Sequence, residues 1–481
     1  MNNSSHPTDS LSKVYQQQRM THWDKVAQQG SKSLNLGNTY HRHLSRVFRF
    51  SIPKGQRILE IGCGKGDLLA TLEPSEGVGV DFSAEMIRRA VQSHPNLKFI
   101  HADAHDLSML DHQYDVIILS DIVNDLWDVQ LVLEQVRRLS GPHTRLVMNY
   151  YSHLWEFPLT LAQKLRLATP RLEQNWLTNE DITNLLHLSG FDVIRGWQEF
   201  LCPLPIPLIE PFCNRFLARI WPFQELALCN FIIARPANIH EKQPAVTVVV
   251  PARNEAGNIL SIFDRLPKMG SRTELIFVEG HSKDDTGAVI EREIASHPEW
   301  ACQFLRQTGE GKADAVRLGF QHATGDILMI LDADLTVPPE DLPRFFQALV
   351  SGKGEFINGV RLVYPMEREA MRFANLLGNK VFSLVFSWLI GQPIKDTLCG
   401  TKVLWRADYE KIAANRSYFG NFDPFGDFDL IFGAAKLGLK ITDLPIRYRE
   451  RTYGTTNIQR WKHGWLLLKM VWFAAIRLKF F

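Results

Sequence analysis

Short apolar runs of four to six residues alternate with longer amphipathic stretches twice along this chain, from about Arg57 to Ala234 and again from Val246 to about Ile446. Buried strands alternating with helices that cover them produce this pattern, so it predicts α/β architecture written two times. Between the two stretches, Arg235–Pro244 carries two prolines, several polar residues and no hydrophobic period, which places a domain boundary near residue 240. The two halves carry different motifs and are not copies of one another.

Charge narrows the partners. With 54 Lys+Arg against 52 Asp+Glu, the formal net charge of +2 does not describe a surface built to hold nucleic acid. The balance is uneven, because Ile446–Phe481 holds eight basic residues and one acid, a local +7 against −5 for the rest. The six cysteines are far apart, with no C-x-x-C pair and no zinc-type spacing, which fits a reducing compartment. The polar start MNNSSHPTDS lacks the basic and apolar regions of a secretion signal, so a cytoplasmic chain is expected.

In the first half, Arg57–Ile61 reads as a buried strand, followed by Gly62-Cys63-Gly64-Lys65-Gly66 and the helix-like Asp67-Leu68-Leu69-Ala70. A glycine turn after a strand lets a ligand approach the backbone, although such turns also serve structural corners. The next strand ends in Asp81, placed to accept bonds from a ribose diol, and the strands Phe99–Ala104 and Tyr114–Asp121 deliver further polar residues to the same edge. Nicotinamide cofactors favour G-x-G-x-x-G, whereas this loop is Glu60-x-Gly62-x-Gly64-x-Gly66. That form, with Asp81 and Asp103-Ala104, resembles class I S-adenosylmethionine-dependent methyltransferases over about residues 15–235. The resemblance implies that Gly62, Gly64 and Gly66 pack against the methionine end of the donor and that Asp81 holds the ribose. By the same analogy Asp103 and Ala104 border the adenine, and Glu60, Ser120 and Asp121 line the pocket. No dedicated base is visible; His101, His105 and His153 are candidates. The apolar segment Trp155–Cys229 suits either packing against the second domain or an apolar acceptor.

The second half opens with the β-branched strand Val246–Val250, running into Pro251-Ala252-Arg253-Asn254-Glu255. A strand ending in Glu279-Gly280-His281-Ser282-Lys283-Asp284 follows, and a third runs into Asp332-Ala333-Asp334. Two carboxylates at i and i+2 just beyond a strand fit a site where a hard divalent cation meets a diphosphate, because Mg²⁺ keeps phosphate and water in its shell. With Gly311-Lys312-Ala313-Asp314-Ala315, these motifs resemble family 2 inverting glycosyltransferases of the GT-A fold over about 244–460. Asp396–Lys402 and Arg451–Asn457 look like the dolichol- or polyprenyl-phosphate sugar transferase branch. The resemblance implies nucleotide-sugar contacts from Pro251, Ala252, Asn254, Glu255, Glu279, Ser282, Lys312 and Asp332, and a Mg²⁺ or Mn²⁺ on Asp332 and Asp334. Glu279-Gly280-His281-Ser282 departs from the usual two acids followed by Gly-Ser, which leaves the base or ribose contact open.

A polyprenyl phosphate is already anionic and needs no strong base, so cations are expected to matter more than carboxylates. Arg361, Arg372, Lys402 and Arg451 are aimed at the phosphates, because guanidinium meets phosphate in a two-pronged geometry. Transfer to a sugar hydroxyl of an envelope polysaccharide would instead use Asp427 or Asp429 as base, though both can equally anchor a turn. Polar residues at steps of three and four between Met371 and Gln392 leave a wide apolar helical face. Near the C-terminus, Lys462, Lys469 and Arg477 fall within about 80° on a wheel of ~100° per residue, beside Trp465, Leu466, Leu468, Trp472, Ile476 and Phe481. Together they predict a platform at the cytoplasmic membrane surface.

The expected fold class is α/β in two domains: a Rossmann-like methyltransferase sheet, a GT-A sheet, and amphipathic C-terminal helices. Boundaries are drawn at 1–40 for a helical extension, 41–236 for the methyltransferase domain, 237–244 for the linker, 245–460 for the glycosyltransferase domain and 461–481 for the basic tail. The expected function joins methyl transfer from S-adenosylmethionine to metal-dependent inverting transfer of a UDP- or GDP-linked sugar onto a lipid phosphate. A catalytically idle scaffold in one half is the alternative of a different kind.

Overall fold

The computed structural model describes residues 7–29, 36–164, 172, 174–237, 243–361, 373–416, 427–447, 449, 453 and 460–480. Arg372 and Arg451 lie outside these residues, as does the side chain of Asp427. The chain forms two compact units, Met1–Ala237 with Phe480–Phe481, and Asn238–Lys479.

In the first unit, β1 (Arg57–Ile61), β2 (Glu76–Asp81), β3 (Lys98–His101), β4 (Tyr114–Ser120), β5 (Ser140–Tyr151), β6 (Phe191–Glu199) and β7 (Cys229–Pro236) form one sheet in the order β3-β2-β1-β4-β5-β7-β6. The first five strands in that order run parallel, and β7 is antiparallel to both its neighbours. Along β4 the side chains divide by parity: Ile117 and Leu119 enter the core on one face, Val116 and Ile118 the core on the other. A strand covered on both faces must be apolar at every position, which is why it reads as an unbroken run. The chain leaves β1 toward β3 and returns to β4 on the opposite side. That reversal opens a crevice at the carboxyl ends of β1 and β4. Two helices precede the sheet, Pro7–Gln29 and Leu36–Ser51. The first is tied to the crevice rim, where Trp23 Nε1 donates to Asp125 Oδ2 at 3.2 Å and Ser83 Oγ donates to Asp24 Oδ1 at 2.5 Å.

In the second unit, β8 (Val246–Ala252), β9 (Thr273–Glu279), β10 (Ala301–Arg306), β11 (Ile327–Ile330), β12 (Phe356–Val360), β13 (Lys402–Trp405) and β14 (Ile441–Pro445) are ordered β10-β9-β8-β11-β13-β12-β14. The strands β10, β9, β8 and β11 are parallel, and β13 runs antiparallel between β11 and β12. Val246, Val248 and Val250 enter the core with Phe277, Met329 and Phe345, while Thr247 and Val249 are buried on the opposite face. The reversal between β8 and β11 makes a second crevice of the same kind. The helices Phe373–Ile390 and Arg460–Ala474 pack against each other.

Candidate functional sites

At the first crevice the loop after β1 turns through Gly62, Gly64 and Gly66, with φ of 75°, 52° and 76°. Such angles are strained for any residue with a Cβ, which explains three glycines at alternate positions. A Cβ on Gly66 would lie 2.5 Å from the Phe99 ring, whereas one on Gly64 would meet nothing within 4 Å. Gly64 thus faces open space that a ligand can enter. Asp81, at the end of β2, accepts from Gly64 N at 2.8 Å through Oδ2 and from Ser83 N at 2.9 Å through Oδ1. Burial raises its pKa, and these two backbone bonds oppose the rise. Glu60 is buried on β1, and its Oε2 has no hydrogen-bond partner among the described residues. Burial pushes its carboxyl up to about 8, against a bond from the Leu69 backbone.

Asp103 Oδ1 accepts from His105 N at 2.9 Å and from His105 Nδ1 at 2.6 Å, while His105 Nε2 accepts from Asp128 N at 3.1 Å. The Asp128 donor assigns the ring proton to Nδ1. Burial alone would raise the Asp103 pKa, but the bonds from His105 prevail and lower it. Ala104 is buried beside it and Ser120 is half-buried at the end of β4. Asp121 has φ 56°, and its Oδ1 accepts from Tyr40 Oη at 2.7 Å and from Asn149 Nδ2 at 2.6 Å. Burial and the adjacent Asp121 charge hold the Tyr40 hydroxyl well above its usual pKa, so it remains a donor. Of the candidate bases, His101 Nε2 lies 2.9 Å from Phe82 O and His153 pairs with Glu156 at 3.5 Å; His105 is committed as above.

At the second crevice, Asn254 adopts φ 57°. Its N donates to Ser282 Oγ at 3.1 Å and its Oδ1 accepts from Lys283 N at 2.7 Å. These bonds join the loops after β8 and β9. Glu279 Oε1 accepts from Ser282 N at 2.5 Å, and the buried Glu255 accepts from Asn258 Nδ2 at 2.8 Å. Pro251 is half-buried and Ala252 buried, with Ala252 O accepting from Gly280 N at 3.0 Å. Beyond β11, Asp332 and Asp334 are half-buried on either side of the buried Ala333. Lys312 Nζ lies 2.6 Å from Asp332 Oδ1, and Asp334 Oδ1 accepts from Thr336 N at 3.1 Å and Thr336 Oγ1 at 2.8 Å. Among the described residues no group of three or more His, Cys, Asp or Glu is arranged to hold a metal ion. The pair fits the other kind of cation site, one or two carboxylates completed by phosphate and water. An ammonium already sits against Asp332, standing in for such a cation.

A family described as "Methyltransferase domain" matches residues 52–190, and "Glycosyl transferase family 2" matches residues 247–413. The chain carries both domains. The glycosyltransferase domain is similar to a dolichol-phosphate mannosyltransferase of Pyrococcus furiosus, 33% identical over 221 residues, 44% of this chain and 59% of the relative. It is also similar to the enzyme of that name from Saccharomyces cerevisiae, 39% identical over 109 residues, 21% of this chain and 40% of the relative. The chain thus spans less than two thirds of either relative's length. A solved S-adenosylmethionine-dependent methyltransferase from Thermotoga maritima is 15% identical, with 45% of this chain and 99% of that chain covered and a TM-score of 0.37.

Three candidate residues of the second half have protein partners in this structure. Lys402 is fully buried and its Nζ donates to Cys399 O. Arg361 is engaged by the buried Asp396, with Nε to Oδ2 at 2.7 Å and Nη2 to Oδ1 at 2.9 Å, a two-pronged pair made with a carboxylate instead of an incoming phosphate. Asp429 is buried, with its Oδ2 against Arg317 and Arg416 at 3.7 Å. Several residues were missed in the sequence. Tyr40 and Asn149 converge on Asp121, and a Cβ added at Gly400 would overlap both Asp332 Oδ2 and Lys312 Nζ. Asn149 had left a signal as a polar residue within the apolar run of β5; Gly400 was visible only as part of a motif.

Proposed function

We propose that the chain is a bifunctional transferase that uses S-adenosylmethionine in its first unit and moves a sugar from a nucleoside diphosphate to a lipid phosphate in its second. The observation that carries the reading is the contact of Lys312 with Asp332 just beyond β11, two residues before Asp334, in the half matched by glycosyl transferase family 2. Asn254, Glu255, Glu279 and Ser282 surround the place a nucleotide would take, and Pro251 and Ala252 form its floor. Asp332 and Asp334 would hold Mg²⁺ or Mn²⁺, which when bound neutralises the departing diphosphate. A phosphate oxygen of the acceptor attacks the anomeric carbon as the bond to the diphosphate breaks, and the configuration inverts. No base is required, in keeping with the ion-paired state of Asp429. Arg372 and Arg451 are the proposed contacts to the acceptor phosphate, and the names of the relatives point to a lipid of the dolichol type.

In the methyltransferase domain, Asp81 would receive the ribose hydroxyls and the open face of Gly64 the methionine end. Asp103 and Ala104 would flank the adenine; Glu60, Gly62, Gly66, Ser120 and Asp121 would complete the wall. The sulfonium supplies an electrophilic methyl group, so alignment of an acceptor does most of the work.

The proposal extends to a membrane surface, because exposed apolar side chains recur along single helical faces. They are Val381, Leu384 and Trp388 on one helix, then Trp465, Leu468 and Trp472 on the other and Ile476 in the π-helical turn Ala475–Lys479 that follows it, with Lys469 and Arg477 exposed beside them. Among the described residues no helix is long and apolar enough to cross a membrane.

Separate donor sites predict separate losses. Asp334→Ala should abolish sugar transfer to dolichyl phosphate from UDP- or GDP-sugars while S-adenosylmethionine binding by calorimetry is unchanged, and Asp81→Ala should do the reverse. Loss of both properties from either substitution would refute the two-site reading.

A further inference from the structure

Lys312 approaches Asp332 from the first turn of the helix Gly311–His322. Its Nζ is 2.6 Å from Oδ1, and both side chains are about one quarter exposed. The pair is pressed against bare backbone at Gly400, where a Cβ would overlap both partners. Ammonium and carboxylate are therefore packed together against that backbone. A divalent cation binding Asp332 would stand within a few ångström of that ammonium, and like charges at such separation repel strongly at a half-buried site. A nucleoside diphosphate reverses the balance, because its phosphates attract the lysine and also supply ligands to the metal.

We propose that Lys312 is a tethered cation that keeps Asp332 closed to divalent metal until a nucleoside diphosphate arrives, which makes metal entry nucleotide-dependent. The inference rests on the reading of Asp332 and Asp334 as the metal-binding pair, and it assigns Lys312 two positions, on the carboxylate before the nucleotide binds and on the phosphates afterwards. The device prevents a metal ion from binding Asp332 in an unproductive, nucleotide-free form.

The test is calorimetric titration of the full chain with Mn²⁺ alone, with UDP or GDP alone, and with Mn²⁺ in the presence of each nucleotide. Lys312→Met should bind Mn²⁺ alone at least tenfold more tightly than the wild type, and whichever nucleotide the wild type accepts at least tenfold more weakly. Lys312→Arg should keep the block. If Lys312→Met loses its native melting transition, Lys312→Gln carries the same expectation with a polar stem of similar length. Unchanged or weaker Mn²⁺ binding in the folded Lys312 variant overturns the proposal. The underlying metal-site reading fails separately, if Mn²⁺ does not bind with either nucleotide or if the double substitution Asp332→Asn, Asp334→Asn leaves that binding intact.

Discussion

Replacing Arg361 by alanine separates a structural cation from a ligand-binding one. The Arg361 side chain is 11% exposed and that of Asp396 is 0%, so the substitution strands a carboxylate away from water. Removing one partner of a buried ion pair costs about 3–5 kcal/mol. The lower end applies here, because Asp396 keeps backbone bonds from Arg361 N at 3.2 Å and Leu398 N at 3.0 Å, together with the charge of Lys402. For a unit of this size, about 3 kcal/mol corresponds to a fall of roughly 6–12 °C in melting temperature. Differential scanning calorimetry of the full chain should show the transition of the second unit moving down while that of the first stays in place. Acidification supplies an independent check. Burial would raise the Asp396 pKa, but the Arg361 charge and hydrogen bonds outweigh it and hold the carboxyl below its ordinary value. The stabilisation is therefore complete above the unfolded-state pKa of ~3.9 and is lost as pH falls through the folded value. Arg361→Ala should accordingly lose less stability on acidification than the wild type. A variant that melts within about 1 °C of the wild type while transfer to lipid phosphate collapses would refute this reasoning and return Arg361 to the phosphate site.

Two other outcomes are expected. Glu60 titrates at about 8 when folded against 4.5 in its unperturbed form, so the native state keeps a proton that the unfolded state releases between those values. Its contribution makes stability fall as pH rises through that window and level off above it. In melts across the same range Glu60→Gln should lack that slope and exceed the wild type above pH 8; a variant retaining the full wild-type slope would contradict the assignment. The exposed Trp465, Leu468, Trp472 and Ile476 should carry the chain into the pellet with phosphatidylserine-containing vesicles at low salt. Trp472→Ser should reduce that fraction several-fold, and complete retention of the wild type in the supernatant would reject the membrane surface.

The strands and glycine loops were legible because they are local. A β-branched run such as Val246–Val250 and alternate glycines at 62, 64 and 66 announce themselves within a few residues. Burial and distant pairing were not legible in the sequence. Lys402 reads as a phosphate-seeking cation until the antiparallel insertion of β13 between β11 and β12 places it inside the sheet. Arg361 meets Asp396 35 positions away, and Arg317 meets Asp429 112 positions away, beyond the reach of any short window. The crevice rim has the same lesson, since Tyr40 comes from a helix outside the sheet and reaches Asp121 across 81 residues.

Asp81 shows what it means for a receptor to be assembled in advance. Each carboxylate oxygen already anchors a backbone amide, one from the loop after β1 and one from the loop after β2, yet an oxygen has two lone pairs. An arriving diol would add to these bonds instead of exchanging with them. The conformational order it needs is then established during folding, and little of the guest's affinity is lost to arranging its host.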